Sequence, residues 1–298
     1  VQDGAVLSYM MGGWPAPLGI EYRIDIVNAF VLLIVSGIGA VVMTYARRSI
    51  ESEIAANRQA WFYAMFMLCL TGQLGVTITG DAFNIFVFLE ISSLSSYVMI
   101  AMGRDRRALV ASYRYLIMGT IGATFIVIGI GLLWTLTGTL NLYDLAQRLA
   151  EIRQSPGVLS ALAFLAVGIS LKLALFPLHL WLPNAYAYAP SVASAFMAGT
   201  STKVAIYLFL RFFFTIFGGT DWFEATAMAD AFIVLSLAAM FGASTVAVFQ
   251  NDLKRMLAYS SVGQIGYITL GIGMASKTAL TGSIVHMFNH GVMKTGFF

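Results

Sequence analysis

Residues 166–192 read AVGISLKLALFPLHLWLPNAYAYAPSV, an apolar run that carries a lysine at 172, a histidine at 179 and prolines at 177, 183 and 190. Each proline removes a backbone donor and disturbs the preceding turn. A helix interrupted at membrane depth beside a lysine is tolerated only where it lines a cavity or packs against protein, an arrangement that recurs in transporters. Snorkelling is the plain alternative for Lys172. The lysine stands well inside the apolar run that begins near residue 158, which argues against it.

The rest of the chain agrees with a lipid-embedded reading. Of its 298 residues 59% are hydrophobic and 10% charged. The mean hydropathy is +0.82, and such a composition lies far outside the range of a soluble domain of this size. Apolar stretches long enough to span the hydrocarbon follow one another, and the alternation of a transmembrane barrel is missing. The expected fold is therefore an all-α, polytopic transmembrane helical bundle, a single domain over 1–298. Membrane segments are expected near 24–46, 60–79, 82–102, 109–137, 158–188, 191–217, 229–249, 256–274 and 279 to the end. Residues 138–157, GTLNLYDLAQRLAEIRQSPG, pair an apolar with a polar face and end in Pro-Gly, which predicts an interfacial amphipathic helix. The start at Val1 and the stop at Phe298 inside a helical pattern suggest a chain incomplete at both ends.

The net charge of +3 sits in short loops, so it orients the chain in a membrane and gives no support to nucleic-acid binding. Arg47, Arg48, Arg58, Arg104, Arg106, Arg107, Lys254 and Arg255 fall on one side of the expected spans. Opposite them stand Arg23, Arg148, Arg153 and Lys277. The first side is then cytoplasmic, and the opening segment, with Asp221 and Glu224, lies outside. The one cysteine, Cys69, reads as a small buried hydrophobe.

Charges at bilayer depth are the candidates for function. Glu90 lies midway along DAFNIFVFLEISSLSSYVMIA, where an ionised carboxylate costs at least about 3 kcal/mol. Ser93 and Tyr97 share its helix face. A neutral, hydrogen-bonded structural glutamate is the bland alternative. Lys203 is equally deep and shares a face with Tyr207 and with Arg211, the last near enough to the helix end to snorkel. His286, His290 and Lys294 recur every four residues, a polar file along one helix face. Two histidines at that spacing also suit a metal, but no HExxH glutamate or third ligand accompanies them, and a hydrogen-bonding role stays open. One Glu, three Lys and three His inside apolar helices are what a proton relay requires. Nucleotide-binding, nucleophile-elbow and haem-attachment motifs are missing, so no cofactor and no catalytic chemistry of the chain's own are expected.

Four motifs, GDAFNIFVFLEISSLSSY, LKLALFPLHLWLPNAYAYAPSVASAFMAGTSTKVAIY, NDLKRMLAYSSVGQIGY and HMFNHGVMKTGFF, resemble the proton-conducting, antiporter-like subunits. That family unites Mrp-type cation/proton antiporters, membrane-bound hydrogenases and respiratory complex I. Asn184, Tyr186 and Tyr188, where complex I relatives tend to carry Asp and His, make the chain most similar to the D-type subunits of Mrp antiporters. The resemblance implies inverted five-helix repeats with broken helices in a bundle of about fourteen. It assigns Glu90 to the family's helix 5, Lys172 to the broken helix 7, Lys203 to helix 8, and His286, His290 and Lys294 to helix 11. Helices 1, 2 and those after 11 would then be missing.

The resulting expectation is a proton-translocating subunit of a multisubunit Na+/H+ antiporter in the cell membrane, with other membrane subunits, protons, Na+ and lipid as partners. Protonation or release of Glu90 weakens its hold on Lys172, which passes a proton through Lys203 toward His286, His290 and Lys294. A proton-pumping subunit of a redox-driven complex is the alternative, and an oxidoreductase label would then attach only through partners. A membrane scaffold without transport would leave the buried charges unexplained.

Overall fold

The computed structural model describes residues 5–218 and 227–298; Asp221 and Glu224 lie outside the described residues. Among those residues eleven α-helices occupy most of the chain: α1 Ile26–Glu53, α2 Ala56–Ile78, α3 Ala82–Ala101, α4 Arg107–Thr137, α5 Leu142–Ile152, α6 Pro156–Leu173, α7 Leu182–Tyr188, α8 Ser191–Leu210, α9 Ala227–Val248, α10 Leu253–Gly273 and α11 Lys277–Phe297. A π-helical stretch, Arg211–Ile216, continues α8. Among the described residues seven helical spans are long and apolar enough to cross a membrane. The last two helices, α10 and α11, are not among them, because Gln264, His286, His290 and Lys294 dilute their apolar character.

Helix starts follow local chemistry. Asp25 caps α1, its carboxylate accepting from the Val27 and Asn28 amides while the Asn28 side chain accepts from the Asp25 amide. Asn141 caps α5, Ser155 caps α6 ahead of Pro156 at its first position, and Asp252 and Ser276 cap α10 and α11. The amphipathic helix expected between 138 and 157 is α5, which buries Leu142, Leu145 and Leu149 along one side. An antiparallel hairpin, β1 (Leu7–Met10) with β2 (Glu21–Ile24), precedes α1. The sequence does not announce these strands, since the turn between them is built from the irregular Gly/Pro/Trp segment.

The bundle is organised around α8, which packs against α1, α2, α6 and α11. With its π-helical extension nearly all of its apolar stretch is buried, whereas most of α9 faces outward. That difference needs no driving force beyond polarity, because a lipid-facing helix side is apolar for the same reason as a protein-facing one.

The segment expected as one span over 158–188 is interrupted. Helix α6 ends at Leu173, and Ala174 adopts a left-handed conformation at φ 59°, ψ 41°. The freed carbonyls find partners. The Leu175 amide donates to Ser170 O at 3.0 Å and Trp181 Nε1 to Leu171 O at 3.0 Å. Of the three prolines only Pro177 lies in the break. Pro183 sits in the first turn of α7 and Pro190 is the N-cap of α8, so these two start helices instead of disrupting one.

Candidate functional site

Termination of α6 at Leu173 places Lys172 in its last turn, aimed across the bundle at the middle of α3. Its ammonium donates to Glu90 Oε1 at 3.1 Å and to Ser93 Oγ at 2.7 Å. The lysine side chain is 5% exposed and the glutamate 22%. Taking both charges out of water is expensive, so the pair holds only through its own attraction and the serine hydrogen bond. Behind it Tyr97 packs edge-on to Tyr115, which stacks on Trp181 of the break at 3.9 Å.

A small cavity of about 30 Å³ adjoins the pair, lined among others by Gln73, Ser92, Ser93, Ser96, Lys172 and Ser201. That space suits about one or two waters, and its walls offer the polar partners a water needs. Gln73 Nε2 donates to Ser201 Oγ at 3.0 Å, which ties α2 to α8 close to the next charged group. Sequence reasoning does not single out Gln73 or Ser201. A polar amide in the apolar run of α2 is the only signal it offers.

Lys203 is fully buried on α8, its ammonium donating to Ala198 O at 2.5 Å and Thr202 Oγ1 at 3.3 Å. No carboxylate among the described residues forms an ion pair with it. Its stem runs against α11 where that helix crosses α8 closely: a Cβ on Gly291 would lie 3.1 Å from Gly199 O and 3.5 Å from Lys203 Cε. The adjacent His290 is also fully buried, and neither ring nitrogen has a hydrogen-bond partner among the described residues. The His290 ring lies nearly parallel to that of His286, centroids 6.2 Å apart, and the latter bonds Gln264 at 2.7 Å. Lys294 closes the file, donating to Leu257 O of α10 at 2.9 Å.

The six expected residues thus form two clusters. Glu90 and Lys172 touch; Lys203, His286, His290 and Lys294 gather at the α8–α11 crossing; Gln73 and Ser201 line the cavity beside the first cluster. His179, a near neighbour of Lys172 in sequence, does not bond to it and packs on Phe176 and Tyr259 instead.

Arg211 departs from expectation. It is 9% exposed and does not snorkel: its guanidinium donates to both Asp25 oxygens at 2.8 and 3.0 Å and to Asn28 Oδ1 at 2.7 Å, and lies against the Tyr207 ring. Burial pushes the Asp25 carboxyl up, but hydrogen bonds and charge from Arg211, with the Asn28 and Val27 amides, together hold it below its ordinary value. Nearby, Glu21 follows the same logic, burial being outweighed by Ser8, Asn141 and Arg23. This knot locks the outer ends of α1 and α8 together.

Comparison with known proteins gives concordant results. The family described as NADH:quinone oxidoreductase/Mrp antiporter, transmembrane, matches residues 79–298. The N subunit of an NADH-quinone oxidoreductase from Desulforudis audaxviator is 42% identical over 97% of this chain and 57% of its own length. A D-type Na(+)/H(+) antiporter subunit from Alkalihalophilus pseudofirmus is 34% identical over 100% of this chain and 59% of its own. The chain therefore spans a little over half the length of these relatives. Among solved structures, the Mrp complex from a Dietzia species superposes with a TM-score of 0.87 at 27% identity, covering 99% of this chain and 54% of that one. A membrane-bound sulfane sulfur reductase, an archaeal respiratory membrane complex, gives 0.86 at 29% identity, covering 98% and 58%.

Proposed function

This multi-pass membrane chain belongs to the NADH:quinone oxidoreductase/Mrp antiporter family, and we propose that it carries protons as one subunit of a multisubunit Na+/H+ antiporter in the plasma membrane. The observation that carries the reading is the buried Lys172–Glu90 ion pair at 3.1 Å, placed where α6 breaks. The carboxylate is the more exposed partner, 22% against 5%, so we assign proton entry to Glu90. Protonating Glu90 removes an attraction of about 4 kcal/mol, the size for charges about 4 Å apart at an effective dielectric near 20, and frees the Lys172 proton. The cavity bounded by Gln73 and Ser201 leads it toward α8. Lys203 takes it up, and His290, His286 and Lys294 continue the path along α11. Lysine and histidine suit this work because each exchanges a proton without leaving its place.

The 42% identity to an N subunit favours a second reading, in which the same path is driven by electron transfer in partner subunits. Purification of the native complex separates the two. Flavin or iron-sulfur subunits that copurify, with a gradient built from an electron donor, support the redox complex. Membrane subunits alone, with proton movement that depends on Na+, support the antiporter.

A further inference from the structure

Helix α4 has 31 residues. At a rise of about 1.5 Å per residue it is about 46 Å long. It therefore overhangs a hydrocarbon core of about 30 Å at both ends. Its exposed aromatic residues mark where the core begins and ends. Tyr113 and Trp134 are 61% and 52% exposed. By the same rise, Arg114 and Trp134 are about 30 Å apart along the helix. Arg114 therefore stands at the boundary between hydrocarbon and headgroups on the cytoplasmic side, the side set by the loop charges. It is exposed, and no acidic group among the described residues pairs with it.

Beside it opens a cavity of about 190 Å³ lined by Arg107, Val110, Ala111, Arg114, Asn184 and Tyr188. Arg107 and Arg114 are two turns apart on one face of α4. Arg107 donates from Nε to Asp105 at 2.8 Å, lies over the Tyr188 ring at 4.7 Å and donates from Nη1 to the Tyr188 hydroxyl at 3.3 Å. That leaves the Arg114 fork and the Asn184 amide as the groups lining the cavity without a bond among the described residues. Asp105 offsets one charge, while Arg104 and Arg106 in the same loop keep the neighbourhood positive.

We propose that this cavity binds the headgroup of an anionic phospholipid of the inner leaflet, its phosphate on Arg114 and Asn184 and its acyl chains running deeper along the exposed Ile117 and Ile121 of the same α4 face. A basic pocket between transmembrane helices at headgroup depth on the cytoplasmic side has the chemistry such a lipid needs. Asn184 and Tyr188 belong to α7, the helix that follows the break after Lys172. A bound headgroup thus braces α7 against α4. The inference does not rest on the proton-carrying reading, since lipid binding is measured apart from transport.

The test is lipid retention by the purified full-length complex in nanodiscs of phosphatidylcholine with a minor fraction of phosphatidylglycerol, followed by mass spectrometry of tightly held lipid. Wild type is expected to retain phosphatidylglycerol over phosphatidylcholine. Arg114→Ala should lower that retention about tenfold, and Arg114→Lys, a point charge without the fork, less so. Asn184→Ala, on the other wall, should also weaken it. Equal retention of the two lipids by wild type, or unchanged retention in Arg114→Ala, overturns the proposal. So does a photo-crosslinker at position 114 that captures a neighbouring protein subunit instead of lipid.

Discussion

Lys172 meets Glu90 at 3.1 Å because its helix stops one residue later, so the ion pair joins a helix end to a helix middle. The two partners are unequal. The glutamate side chain keeps 22% of its surface exposed while the lysine keeps 5%. Substituting the exposed partner therefore strands the buried one. Glu90→Gln is expected to slow proton movement by more than about tenfold and to alter its pH dependence, because Lys172 loses the attraction that holds its proton. Transport across a pH series checks this, and an unchanged profile in Glu90→Gln contradicts the pairing.

His290 offers a cleaner separation of packing from function. Its ring is fully buried with neither nitrogen bonded among the described residues. Removing both polar atoms should therefore cost little folding stability, within about 1 kcal/mol, as for any buried group whose hydrogen bonds were not made. His290→Leu is expected to leave thermal stability near wild type and to cut transport more than about tenfold. Equal transport would reduce this histidine to filler.

The close crossing of α8 and α11 is what sets Lys203 against His290. A Cβ on Gly199 would fall on the Thr295 hydroxyl, and 3.0 Å from Ile38 Cγ2. Gly199→Ala is expected to destabilise the protein by about 1–3 kcal/mol, the usual cost of overpacking, and to impair transport by widening the gap. Thermal melting and transport on the same preparation test both parts.

The Asp25–Arg211 knot contributes to acid stability. The folded-state value of Asp25 lies below its ordinary one. Its contribution is therefore present above about pH 3.9, the unfolded value, and is lost as pH falls through the folded value. Asp25→Asn is expected to flatten that part of the acid dependence. The Asp25 side chain is 28% exposed. At neutral pH the substitution should therefore cost less than the roughly 3–5 kcal/mol of breaking a fully buried pair. Melting temperatures from pH 3 to 7 for both proteins provide the check.

Much of this is legible in the sequence. The order of the long helices, the amphipathic α5 and the disturbance after Lys172 follow from apolar run length, periodicity and proline. The buried charges stand out because lipid makes them conspicuous. Arg211 reads as a snorkelling residue because its partner Asp25 lies far away in sequence, and only packing of α1 on α8 brings them together. The prolines at 183 and 190 read as breaks because the residue alone does not tell whether it ends one helix or begins the next. Gln73 and Ser201 stay hidden for a related reason: single polar residues in a membrane helix gain meaning from the neighbour they face, and that neighbour sits on another helix. The file on α11 is the easiest to see, since its spacing is internal to one helix.

Lys172 is proposed to carry protons in exchange for a cation. The most direct test is sodium-dependent dissipation of a pH gradient in inverted vesicles bearing the intact complex, with wild type and Lys172→Ala at equal expression. Wild type is expected to respond to Na+, and Lys172→Ala to lose that response while the complex still assembles. A Lys172→Ala protein that dissipates the gradient like wild type, or a wild type indifferent to Na+, contradicts the account.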